Sequence, residues 1–126
     1  MLIGPSTGWM YANRIDDISE QEKFARETGA GAVEMCVGYD TDRIKGLFGG
    51  KRFPDISFRT VHFGYNPKRG LKEQVDEIKS IYGKQNFNSL VIHPDNVPEG
   101  YWETLSLAAV PISIENMDKK REVVLI

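Results

Sequence analysis

His62, His93 and Glu115 each close a short apolar run: Phe58-Arg59-Thr60-Val61-His62, Ser89-Leu90-Val91-Ile92-His93 and Pro111-Ile112-Ser113-Ile114-Glu115. Two imidazoles and a carboxylate are donors that hold a divalent transition ion, and an ion so held works as a Lewis acid or activates water. If the runs are parallel neighbouring strands, their C-terminal ends bring the three donors onto one rim. Strand side chains alternate between faces, so Ser89, Val91 and His93 share one face while Leu90 and Ile92 share the other. Ser113 and Glu115 oppose Ile112 and Ile114 in the same way. The greasy face belongs against helices and the mixed face inside a barrel. His62, His93 and Glu115 are therefore predicted to converge as metal ligands.

The elements that must position them alternate between β and α. Leu2 to Ser6 reads as a first strand, followed by a loop through Tyr11 that carries Trp9. Ser19-Glu20-Gln21-Glu22 has capping-box spacing and opens a helix that should stop at Gly29. Ala32 to Val37 is a second strand, and Thr41 to Phe48 a short helix ended by Gly49-Gly50. The third strand reaches His62. Leu71, Val75, Ile78 and Tyr82 recur at helical spacing on one apolar stripe, with Gly83 closing that helix. The fourth strand starts near Asn88, a helix spans Glu99 to Leu107, and Pro111 opens the fifth strand. Crossovers of this length make the pairing parallel. The fold class is α/β, a parallel (β/α) barrel, and residues 1–126 form one unit without repeats or linkers.

Composition narrows the function. With 40% hydrophobic residues, 27% charged residues and a net charge of −2, the chain can build a core and has no basic surplus for nucleic acid. No apolar run approaches the roughly 18 residues of a membrane span, and the start lacks a basic leader, so a cytoplasmic location is expected. The lone cysteine, Cys36, excludes an internal disulfide and reads as a small buried hydrophobe on the second strand. Glu34 on that strand either faces inward, touching substrate or orienting a ligand, or forms a structural ion pair at the rim. Trp9 reads as ordinary loop packing or as an aromatic wall for a ligand, and Asp95 and Asn96 as active-face loop residues or as caps of the following helix.

The tips Val-His-Phe at His62, Ile-His-Pro-Asp at His93 and Ile-Glu-Asn at Glu115 and Asn116, with Ala-Val-Glu-Met around Glu34, resemble the xylose isomerase-like TIM barrels. That resemblance implies a divalent-metal-dependent sugar or sugar-phosphate isomerase or epimerase acting on a carbohydrate. The other branch of the superfamily implies a zinc endonuclease of the endonuclease IV type, which cuts DNA at abasic sites. Zn, Mn and Co all suit the donors. Glu34, His62, His93 and Glu115 are the implied catalytic set, His62, His93 and Glu115 the implied metal ligands, and Trp9 and Asn116 the implied substrate contacts. A complete barrel needs about 250 residues and eight strands, whereas this chain has 126 residues. It is read as about five strands of an incomplete barrel, the N-terminal portion of one domain. Open parallel edges would then favour self-association, and the piece by itself is expected to be inactive.

Overall fold

A computed structural model describes residues 3–94 and 97–114, and it is an α/β fold around a parallel sheet. Its elements are α1 (Thr7–Ala12), α2 (Ile18–Glu27), β1 (Ala32–Gly38), α3 (Thr41–Gly46), β2 (Phe58–Phe63), α4 (Leu71–Gln85), β3 (Ser89–Ile92), α5 (Tyr101–Ser106) and β4 (Ile112–Ile114). The strands lie in chain order, β1-β2-β3-β4, all parallel. Among the described residues, no helix is long and apolar enough to cross a membrane.

The expected first strand survives as a single parallel bridge between Ser6 and Glu34. Ile3 and Pro5 still accept hydrogen bonds from Gly31 and Glu34 at 3.0 and 3.2 Å. Pro5 has no N–H to return, so the ladder cannot propagate through it. Gly4 makes the approach feasible, because a Cβ there would lie 1.5 Å from the Ala32 carbonyl oxygen. The segment expected to be a loop through Tyr11 is instead helical from Thr7, with Ser6 as its cap accepting from Trp9 N at 3.0 Å.

Helix boundaries also differ from the sequence reading: α3 ends at Gly46 and not Phe48, α5 spans only Tyr101–Ser106 of the expected Glu99 to Leu107, and the start of α2 and the end of α4 shift as well. α2 is capped by Asp17, whose carboxylate accepts from Glu20 N, and not by Ser19. Both residues are good caps, and Asp17 gains because Ile18 then begins the helix. α4 does not stop at Gly83 but runs to Gln85, where Asn86 turns left-handed at φ 49° and donates to the Tyr82 carbonyl. Asn tolerates that conformation nearly as glycine does. Continuing the helix places the fully buried Gln85 amide between the Leu47 and Gly50 carbonyls, both of which accept from it.

Alternation decides the layers. Val33, Met35 and Val37 of β1, Val61 and Phe63 of β2, and Leu90 and Ile92 of β3 are buried, and they pack in one core with Ala25 of α2, Val75, Ile78 and Ile81 of α4, and Leu105 of α5. Glu34, Cys36, Thr60, His62 and Val91, the intervening residues, are only partly buried on the opposite face. β4, the last strand in the order, leaves Ile112 and Ile114 37% and 49% exposed.

Tyr101 ties α5 to the connection that follows β2, its ring standing edge-on to Tyr65 at 5.5 Å. Its hydroxyl is buried with no hydrogen-bond partner among the described residues. Burial, with a smaller contribution from Tyr65, pushes it up to about 12. The folded state thus favours the neutral phenol; its contribution to stability is complete below the ordinary tyrosine value of about 10 and is lost as pH rises toward the folded value. Tyr101→Phe is expected to match or exceed wild-type stability at pH 7, by up to about 1 kcal/mol, because no made bond is removed. Urea unfolding at pH 7 and pH 11 checks it: wild type should lose more stability than the variant across that interval. A variant weaker at neutral pH would reveal a partner for the hydroxyl.

Candidate metal centre

β1 and β2 carry the chemistry because their register sets unlike donors side by side. Cys36 pairs with His62 and Glu34 with Thr60, so Glu34, Cys36 and His62 project from the same face. Just beyond Cys36 the register shifts, with Gly38 opposite Phe63, so that Val37 is an extra residue on β1. Such bulges re-aim strand ends. Thr7 of α1 accepts from the Cys36 N–H at 2.8 Å, and a Cβ on Gly8 would touch Cys36 Sγ at 3.6 Å, so α1 roofs the sulfur. The connections around the rim are held by Tyr39, whose ring packs on Gly64, and by the buried Gln74. The Gln74 amide accepts from Asn66 N and donates to the Asn66 carbonyl, each at 2.8 Å.

One donor atom each from Glu34, Cys36 and His62 lies within 4.8 Å of the other two. Glu34 Oε1 is 3.4 Å from His62 Nδ1, and Cys36 Sγ is 3.9 Å from that same nitrogen. Good hydrogen bonds to nitrogen are shorter, about 2.7–3.2 Å for oxygen partners. Ligands around a tetrahedral zinc with ordinary bond lengths stand about 3.3 Å apart for nitrogen and oxygen and about 3.6 Å apart for nitrogen and sulfur. The spacing is close to that of a coordination shell. A cysteine nucleophile activated by histidine would use the two ring nitrogens separately, one toward sulfur and one toward the carboxylate. Here Glu34 and Cys36 both face Nδ1, an arrangement that a central ion would satisfy. The donors are accessible as well: the His62 and Glu34 side chains are 24% and 35% exposed.

The structure brings His62 and His93 together as stacked rings, centroids 4.1 Å apart and planes inclined by 8°. Trp9 is half-exposed on α1 and packs against Phe24 of α2 at 5.7 Å. Glu115, Asn116, Asp95 and Asn96 lie outside the described residues. Cys36 was expected to be a buried hydrophobe and is instead partly exposed beside His62. The signal available for it was parity, since Cys36 stands two residues after Glu34 on one strand. Tyr39, 59% exposed beside Gly64, is a second residue at the rim that the motifs did not mark.

Compared with protein-family models, curated proteins and solved structures, the chain matches none. The donor set alone defines what the centre can do. A thiolate, an imidazole and a carboxylate together suit Zn²⁺ and Co²⁺ better than the hard ions Mg²⁺ and Ca²⁺. Titration with Co²⁺ is expected to give thiolate-to-metal charge-transfer absorption in the near ultraviolet. Cys36→Ser should abolish that band, and His62→Ala should weaken binding at least about 10-fold. A band unchanged in Cys36→Ser would remove the sulfur from the centre.

Proposed function

We propose that the chain contributes to a xylose isomerase-like (β/α) barrel and uses a divalent ion, held by Glu34, Cys36 and His62, to isomerise or epimerise a sugar or sugar phosphate. The observation that carries this reading is the convergence of three metal-capable side chains on the sheet face opposite α2, α4 and α5, with Cys36 and His62 toward the C-terminal ends of adjacent parallel strands. That is the end where α/β barrels place their active sites. Support for the barrel comes from the unbroken chain order of the sheet and from residues 3–6 lying parallel beside β1.

A divalent ion held by Glu34, Cys36 and His62 would supply Lewis acidity toward a sugar carbonyl and its neighbouring hydroxyl. The chain's own residues have distinct parts. Glu34 brings the anionic oxygen, Cys36 the thiolate and His62 the imidazole Nδ1. His93 is a positioning residue, its stacked ring fixing the plane in which His62 presents Nδ1. Tyr39 offers an aromatic face to the apolar side of a sugar ring. The sequence resemblance gives Glu115 as a further metal ligand, and moving a proton between adjacent carbons needs a carboxylate beyond this set.

The test is turnover of an aldose and ketose panel, with and without phosphate, by the completed barrel to which the chain contributes, in the presence of Zn²⁺, Mn²⁺ or Co²⁺. Interconversion is expected with at least one of these ions, and Glu34→Gln is expected to lower kcat at least about 100-fold while the fold persists. Full activity in Glu34→Gln would contradict the assignment. Cleavage of an abasic-site duplex with no sugar turnover would transfer the centre to phosphodiester hydrolysis.

A further inference from the structure

On the helix side of β1, between the entry to α2 and α3, the chain forms a half-open cavity of about 320 Å³. That is the size of sites that take small organic molecules. Its floor is apolar: Met35, Val37, Leu47 and Phe53 line it, and none is more than 5% exposed. Cys36 and Thr7 also border it, so it backs onto the metal centre without belonging to it.

The polar groups around this floor are unevenly committed. Both cationic side chains are engaged. Arg43 sits 3.5 Å from Asp40 with its guanidinium 4.1 Å over the Tyr11 ring, and Arg52 donates to the Gly46 carbonyl from Nε and Nη2 at 3.1 and 2.6 Å. The acceptors are open. Gln21 is 7% exposed and its amide nitrogen donates to the Ile15 carbonyl at 2.8 Å, which fixes the amide orientation and leaves its oxygen with no donor among the described residues. Asp16 and Asp42 line the same cavity, and neither has a cationic partner among the described residues.

An apolar floor below an amide oxygen and three carboxylates, Asp16, Asp40 and Asp42, against two guanidinium groups, Arg43 and Arg52, complements one ligand chemistry. We propose that this cavity binds a small organic cation, an ammonium group on an apolar body. The body displaces water from Met35, Val37, Leu47 and Phe53, while the ammonium donates to Gln21 Oε1 and lies in the field of Asp16 and Asp42. A neutral analogue keeps the apolar part of this interaction and an anionic one meets repulsion.

Three probes of one shape separate these contributions: benzylamine, benzyl alcohol and benzoate, titrated into the metal-free chain and followed by NMR at the methyl groups of Met35, Val37 and Leu47. Benzylamine is expected to shift these signals saturably, and to bind at least about tenfold more tightly than benzoate, which corresponds to about 1.4 kcal/mol. The double variant Asp16→Asn with Asp42→Asn should weaken benzylamine roughly fivefold or more and leave benzyl alcohol unchanged. Both substitutions are at exposed positions, so the fold is preserved for the comparison. Benzoate binding as well as benzylamine, an unaffected double variant, or no saturable shift at these methyls would each overturn the proposal. Because no metal is added, failure here leaves the reading of Glu34, Cys36 and His62 untouched.

Discussion

Register within the parallel sheet is the constraint on which the rest of the molecule depends. Val33, Met35 and Val37, Val61 and Phe63, and Leu90 and Ile92 are all driven to one face by burial, each such side chain contributing about 1.5–3 kcal/mol relative to exposure. A slip of one residue in any strand would bring these groups to the open face and turn its polar residues into the helix layer. Such a slip would carry a penalty many times the value of any single polar contact. The side-by-side placement of Cys36 and His62, with Glu34 two residues behind, follows from the same core that excludes the slip. The chemistry is positioned by residues that take no part in it.

Above the strand ends, a second set of contacts keeps the connections from wandering. Thr7 bonds the Cys36 backbone, Gln74 holds the turn after β2 through Asn66, and Tyr101 braces Tyr65 from α5. A coordination shell needs donors held to within about half an ångström, and side chains on strands meet that more readily than side chains on free loops. The stacked His93 ring belongs to this layer, since it limits rotation of His62 about its Cβ bond.

Much of this was legible in the sequence where a pattern had one physical cause. The apolar runs ending at His62 and His93 became strands, and the Val75 and Ile78 stripe became the buried face of α4, because hydrophobic periodicity reports burial directly. Boundaries were less legible because several residues compete for one role. Asp17 and Ser19 are both good caps, and Gly83 and Asn86 both suit a helix end, and the tertiary demand for a buried Gln85 chose between the latter pair. Pro5 reduced a strand to a bridge through a missing donor that an apolar pattern does not reveal. At the site, His62 and Glu34 stood out by type, whereas Cys36 was read by the usual burial of cysteine. Its company with His62 required the register of two strands that lie 26 residues apart.

The central claim is that Glu34, Cys36 and His62 form one coordination shell, and X-ray absorption at the zinc edge tests it most directly. For the chain loaded with one equivalent of Zn²⁺, the account expects one sulfur at about 2.3 Å and nitrogen or oxygen neighbours at about 2.0–2.1 Å, in a four-coordinate shell with imidazole outer-shell scattering. A shell of oxygen alone, with no sulfur and no imidazole signature, would contradict it.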